Sequence, residues 1–154
     1  MTTTVVKIGG AAIASGASVA TLGHELQTMM AQGRQFLLVH GGGPEIDRWL
    51  TRLQIPVRKE RGLRVTDLAT MEVVEMVLAG RVNKELVSCL TRAGVRAAGV
   101  SLRDAAVAQC RKKNSDGVDL GFVGEVERID ESLFHTLLAA EVVPVIATIG
   151  EDSS

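Results

Sequence analysis

Hydrophobic residues fall into two kinds of pattern along this chain. There are short continuous apolar runs, and there are longer stretches where apolar positions recur every three or four residues. Val5-Val6-Lys7-Ile8 and Phe36-Leu37-Leu38-Val39-His40 are runs of the first kind. Being apolar on both faces, they predict parallel strands covered by helices. Between them Val19, Leu22, Leu26, Met29 and Met30 recur at helical spacing, with Ser18 as N-cap and Gly33 as stop. Strand, helix, strand in one short stretch is a βαβ unit. Ala11 to Gly16 is small and reads as a loop.

Further along, Pro44 suits a first helical position, and Ile46, Trp49, Leu50 and Leu53 continue the helix until Pro56 ends it. Val57 to Thr66 predicts a short hairpin around Gly62. Thr66 or Asp67 then caps the longest helix, which runs to about Arg92 and stops at Gly94. Its apolar residues cover more than one face. The surplus face is either a self-association surface or a second contact with the chain's own sheet. Ala79-Gly80 in its middle suits a closely crossing neighbour. Arg96 to Ser101 reads as a third parallel strand. Val107 to Arg111 and Leu120 to Val126 read as a hairpin joined by Lys112 to Gly117. Asp130 or Glu131 starts a helix through Ala140, and Val142 to Ala147 is the next strand, with Pro144 near its start.

Composition narrows the function classes. A chain of 154 residues suffices for one domain with a real core. Net charge is -1 and aromatic content is 3%, so neither a basic footprint nor a stacking platform argues for nucleic acid. Cys89 and Cys110 form no disulfide framework and no zinc pattern, which suits a reduced, cytoplasmic setting. The N-terminus has no signal-peptide pattern, and no apolar run approaches the ~20 residues of a membrane span.

Candidate chemistry lies where strands end on glycine. Gly9-Gly10 follows the first strand and Gly41-Gly42-Gly43 the second. In a parallel sheet both turns leave from the same edge, where open α/β sheets bind ligands. Bare backbone N–H groups before a helix N-terminus receive anions. Neither a Walker A loop nor a G-x-G-x-x-G turn is present. His24, His40 and His135 lack metal-ligand spacing. His40 can be a base or, more simply, a strand-end residue whose ring bonds the neighbouring loop. Lys7, in a nearly apolar strand, must find an anion or solvent. Arg64 by itself reads as a surface salt bridge, but its fork also suits a bidentate carboxylate. These groups together suit two anions, a carboxylate and a phosphate. That pairing points to phosphoryl transfer onto a carboxylate. An acceptor already ionised at pH 7 needs no general base.

Several ordered blocks carry a family likeness. They are Val6-Lys7-Ile8-Gly9-Gly10, Val39-His40-Gly41-Gly42-Gly43-Pro44, Gly62-Leu63-Arg64-Val65-Thr66-Asp67, Thr70 to Leu78, Val82-Asn83-Lys84-Glu85 and Leu120 to Val126. In this order the chain resembles acetylglutamate kinases, of the amino-acid kinase family, over nearly its whole length. The resemblance implies a three-layer αβα sandwich with a mostly parallel central sheet. It implies ATP-dependent phosphorylation, with Mg2+, of the γ-carboxylate of N-acetyl-L-glutamate, a step of arginine biosynthesis. Carried over by motif, Lys7 stabilises the transferring phosphoryl group, and Gly9 and Gly10 hold phosphate. Gly42 and Gly43 bind the acceptor carboxylate, and Arg64 grips the α-carboxylate. The helix 67–92 matches the family's dimer contact. The first strand begins by Thr4, which predicts a dimer insensitive to arginine.

The chain also departs from the family pattern. The family continues past Pro144 to Gly150 into an Asn-x-Asn-Ala-Asp segment and a nucleotide-binding half that supplies a second lysine. Residues 1–154 therefore read as the acetylglutamate-binding and dimerisation lobe, with a separate C-terminal half as possible partner and little turnover expected alone. Asp104-Ala105-Ala106 stands where glycines commonly follow the aspartate. The alternatives are a non-catalytic dimerising module that binds an acidic amino-acid derivative, and a kinase for carrier-linked aminoadipate.

Overall fold

The computed structural model describes residues 2–14, 16–113 and 117–152. Its centre is a four-stranded parallel sheet in the order β1-β2-β8-β5. The strands are β1 (Thr3–Ile8), β2 (Gln35–His40), β5 (Ala97–Ser101) and β8 (Val143–Ala147). Pairing runs Val6↔Leu38 and Ile8↔His40, then Leu38↔Val145, then Gly99↔Val145. Pro144 sits inside β8, between two neighbours. Its pairing with β2 begins only at Val145, so the missing N–H interrupts no β2 ladder bond.

One face of the sheet carries α1 (Gly10–Ala14), α2 (Gly16–Met30), α3 (Gly43–Arg52) and a long helix. The long helix is α4 (Leu68–Glu75), a π-helical segment (Met76–Val82) and α5 (Asn83–Arg92) in one run. Ile8, Leu26, Phe36, Leu38, Leu50, Val77, Leu86, Leu90 and Val145 form the main core there. The other face is closed by α6 (Ser132–Ala139), where Phe134 packs with Val107 and Ile146 against Leu37, Val39 and Val100. The three layers expected from the sequence are present.

Several local expectations need correction. The stretch read as a loop from Ala11 to Gly16 is largely helical. α1 folds on the carbonyl of Gly9, which accepts from Ala12 and Ile13 N–H at 3.1 and 3.2 Å. α2 starts at Gly16, so Ser18 lies inside its first turn rather than capping it. The hairpin β3 (Lys59–Glu60) and β4 (Leu63–Arg64) is present, and Asp67, not Thr66, caps α4, accepting from Thr70 N–H at 2.9 Å. The long helix buries Val73, Val77, Leu78, Val82, Leu86 and Leu90 within the chain, while Leu68 and Met76 remain exposed. Most of its surplus apolar surface is thus buried within its own chain, against the sheet and the neighbouring helices.

The second hairpin is shifted. β6 (Ala108–Lys112) pairs with β7 (Gly124–Ile129), so of the expected partner Leu120 to Val126 only Gly124 to Val126 join the ladder. Gly121 has φ +67 and its N–H bonds Asp119 Oδ1 at 2.8 Å, a turn that ends strand geometry there. Leu120 to Phe122 instead bridge to Thr66. Asn114 to Asp116, within the expected connection, lie outside the described residues. β9 (Glu151–Asp152) adds a short parallel strand to β6 that periodicity did not announce. Ala105 and Ala106 both have φ +52, the region that favours glycine. Asp104 Oδ2 holds this turn by accepting from Ser101 N–H and Oγ–H at 2.5 and 2.9 Å.

Candidate functional site

Parallel register brings the two glycine turns together. Ile8 lies beside His40, and Gly41 N–H donates to Ile8 O at 3.3 Å. A Cβ on Gly10 would stand 2.7 Å from Pro44 Cδ and 3.6 Å from Gly43 N. A Cβ on Gly42 would stand 2.6 Å from Leu78 Cδ2. Only residues without side chains let the turns pack against each other and against the long helix.

The second turn leads straight into α3. Gly42 is its N-cap, and its carbonyl accepts from Ile46 N–H at 2.9 Å. Pro44 follows with no N–H to satisfy. The N–H groups of Gly42 and Gly43 donate to no acceptor among the described residues. They are open donors at the positive end of a helix. Glu45 in that first turn would compete with an incoming anion, but it is drawn aside. Its Oε1 meets Arg48 Nη2 at 2.6 Å, Trp49 Nε1 at 2.9 Å and Arg81 Nε at 2.9 Å. Partial burial raises its pKa, yet hydrogen bonds from Trp49 and Arg48 and the two arginine charges outweigh this and hold it low.

Arg64, on β4, reaches the same turn. Its Nη2 stands 3.5 Å from Gly43 O and 2.5 Å from Asp47 Oδ1, on the first turns of α3. Asp47 also receives Lys59 Nζ at 3.0 Å. Burial raises the Asp47 pKa, but hydrogen bonds and charge from Lys59 and Arg64 more than reverse this. The Arg64 side chain is only 13% exposed, and its Nη1 is buried without a partner. A salt bridge is therefore present, as the simpler reading had it, but it occupies one nitrogen of the fork. The other is a desolvated donor still lacking an acceptor.

Lys7 sits beside Val39 and points to the sheet face opposite Ile8. It is exposed, and it makes no hydrogen bond or ion pair among the described residues. The fold thus brings Gly10, Gly42, Gly43 and Arg64 into one contact region. Lys7 stands on the same sheet edge and bonds none of them, and Gly9 spends its carbonyl on α1. Next to the Thr66–Gly121 bridge a cleft of about 580 Å³ opens, lined in part by Met71, Val74, Phe122 and Val123.

His40 takes the simpler of its two readings. It is buried at the end of β2, with Nδ1 3.0 Å from Gly41 O and Nε2 3.1 Å from Asn83 Nδ2. Sequence reasoning missed Asn83 and Asp47. A signal for Asn83 existed: a lone amide between Val82 and Leu86 on an otherwise apolar helix face. Burial holds the His40 pKa below its ordinary value, partly opposed by the hydrogen bond to Gly41 O. The unfolded chain protonates His40 near ~6.5, where the folded chain resists it. Its contribution to stability is complete above that pH and falls as pH drops below it toward the depressed folded value. Urea-unfolding midpoints should decline from pH 7 to 5.5, and His40→Asn should flatten this decline. Carboxylate protonation enters only below about pH 5.

The profile of the amino acid kinase family matches residues 2–153. The chain therefore belongs to the amino acid kinase family. Among named relatives it is similar to an acetylglutamate kinase of Acaryochloris marina, with 45% identity over 150 residues, 97% of this chain and 52% of that protein. It is similar to the acetylglutamate kinase of Cyanidium caldarium at 41% identity, covering 97% of this chain and 49% of the relative. The chloroplastic acetylglutamate kinase of Arabidopsis thaliana is 45% identical, over 99% of this chain and 44% of its own length. The chain spans about half the length of the curated relatives it matches. Among solved structures, a protein of Streptococcus mutans UA159 superposes with a TM-score of 0.86 at 30% identity, over 98% of this chain and 60% of that one.

Proposed function

We propose that this chain is the amino-terminal, acceptor-binding half of a kinase that phosphorylates the γ-carboxylate of N-acetyl-L-glutamate with ATP. One observation carries the reading: the open N–H groups of Gly42 and Gly43 adjoin a buried arginine whose Nη1 has no partner. Two separated sets of anion donors suit a dicarboxylate. The similarity to acetylglutamate kinases at 41 to 45% identity supports the choice among dicarboxylates.

In this reading the glycine N–H groups hold the γ-carboxylate and Arg64 Nη1 takes the α-carboxylate. Met71, Val74, Phe122 and Val123 offer an apolar wall for the acetyl group. Lys7 stabilises the phosphoryl group in flight, and Gly9 and Gly10 lie beside it. The family implies ATP as co-substrate. The unpartnered ammonium of Lys7 fits its phosphates. No group of three metal-ligating side chains gathers among the described residues, so we propose that Mg2+ is held chiefly by the nucleotide's phosphates. The nucleotide's other contacts belong to a C-terminal half. We further propose a homodimer on the helix 68–92, whose Leu68 and Met76 are 64% and 60% exposed. The thiols of Cys89 and Cys110, which form no disulfide, suit a cytoplasmic setting. Among the described residues no helix is long and apolar enough to cross a membrane.

Calorimetry tests this directly. N-acetylglutamate should bind this chain at one site per chain, and N-acetylglutamine, which lacks the γ-carboxylate, should bind far more weakly. A coupled ATP assay should show turnover only when the nucleotide-binding half of a relative is added. Binding that never yields turnover would make the chain a non-catalytic module. No binding would overturn the reading.

A further inference from the structure

The long helix is widened to π geometry over Met76–Val82, just where it passes the glycine turn of β2. Such insertions weaken helix hydrogen bonding and are kept where they place side chains. Here the wide segment sets Leu78 and Val82 against Gly42. It also sends Arg81 to Glu45 in the first turn of α3. The next residue, Asn83, is fully buried and turned onto the sheet.

Both hydrogens of the Asn83 amide are used. Nδ2 lies 2.8 Å from Val145 O and 3.1 Å from His40 Nε2. Asn83 Oδ1 accepts from Lys84 Nζ at 3.1 Å, and Lys84 also donates to Gly99 O at 3.0 Å. Those bonds fix which end of the amide is nitrogen. Gly99 leaves the room: a Cβ there would overlap Asn83 Oδ1. Since Asn83 Nδ2 is a donor, His40 Nε2 must accept. A neutral imidazole accepting at Nε2 carries its proton on Nδ1. That Nδ1–H donates to Gly41 O at 3.0 Å. In a trans peptide the C=O of Gly41 and the N–H of Gly42 point in opposite directions. Holding the carbonyl on the ring turns Gly42 N–H the other way, where no described acceptor stands.

We propose that His40 and Asn83 are positioning residues that aim the Gly42 N–H at the acceptor carboxylate. This rests on the acceptor-site reading above and extends it to two residues that touch no substrate. The wide helical segment supplies the amide, the amide sets the imidazole tautomer, and the imidazole orients the peptide. Preorganised donors of this kind lose no free energy to reorientation when the anion arrives.

The test has two arms. In the first, ring 15N NMR of the ligand-free chain at pH 7.5 should show His40 with its proton on Nδ1, and Asn83→Leu should shift that tautomer and move the Gly42 amide resonance. An Nε2–H tautomer in the unaltered chain overturns the proposal whether or not any ligand binds. In the second, His40→Leu and Asn83→Leu should each raise the Kd for N-acetylglutamate about tenfold or more. His40→Asn places an amide nitrogen where Nδ1 stood and should bring affinity back to within about threefold of the parent. Affinity unchanged in His40→Leu overturns the proposal and leaves the acceptor site standing. A parent chain that binds no N-acetylglutamate defeats the acceptor-site reading instead, and the tautomer then decides this one. If the leucine variants fail to fold, the parent tautomer and the His40→Asn affinity decide.

Discussion

Replacing Arg64 by alanine should weaken N-acetylglutamate binding at least about 30-fold, a loss of roughly 2 kcal/mol or more. The size follows from the desolvated state of the fork. Nη2 is committed to Asp47 at 2.5 Å, and Nη1 is buried and unpaired. A carboxylate that displaces the packing over Nη1 gains a charge-assisted hydrogen bond without stripping water from the donor. Arg64→Lys should recover only part of the loss. One ammonium cannot serve Asp47 and the ligand with the planar geometry of a guanidinium. Some stability should be lost as well, because Asp47 Oδ1 is buried and faces only Arg64, while Oδ2 keeps Lys59 at 3.0 Å. Calorimetry on both variants, with urea unfolding as control, checks the split. Unchanged affinity in Arg64→Ala would remove Arg64 from the acceptor site.

Gly121→Ala should destabilise the fold by about 3 kcal/mol or more, among the larger single-site effects available to a domain of this size. Two costs add. The residue has φ +67, a conformation that costs an L side chain roughly 1 kcal/mol. The new Cβ would also overlap the Thr66 carbonyl and stand 3.3 Å from Asp67 N. Both are backbone atoms held on each side. Thr66 N–H donates to Leu120 O at 2.9 Å, and Phe122 N–H donates to Thr66 O at 2.7 Å. Neither strand can yield without breaking this crossing, which pins the segment between Arg64 and the Asp67 cap. The variant should therefore lose affinity for N-acetylglutamate along with stability. Gly117→Ala is the control: it also has positive φ, but a Cβ there meets nothing within 4 Å, so only the smaller conformational cost applies. Equal unfolding midpoints for the two variants would refute the steric argument.

The legible part of this site was the part written in neighbouring residues. Gly42 and Gly43 could be read as open donors because strand, glycines, Pro44 and a helical pattern stand in immediate succession. Lys7 could be read as unsatisfied because a charge in an apolar strand has few local options. Arg64 was legible as a candidate but not as a half-satisfied fork, since Asp47 lies seventeen positions earlier on another element, at a distance only folding supplies. His40 remained open between two roles until Asn83, forty-three positions away, stood against its ring. Composition starts the second strand of this hairpin too early, because Leu120 to Phe122 resemble a strand, while the left-handed turn at Gly121 sends them to Thr66 instead.

By itself the sequence determined the parallel αβα class, the glycine turns, most helix limits and the family. These depend on periodicity, caps and contiguous motifs, all short-range features of the chain. The tertiary structure decided which donors stay open. It also decided where the widened helix delivers Asn83, which way the Gly41–Gly42 peptide faces, and how Thr66 and Gly121 lock together. Those depend on contacts between residues distant along the chain, and the energy of a buried polar group is fixed by whichever partner packing brings to it.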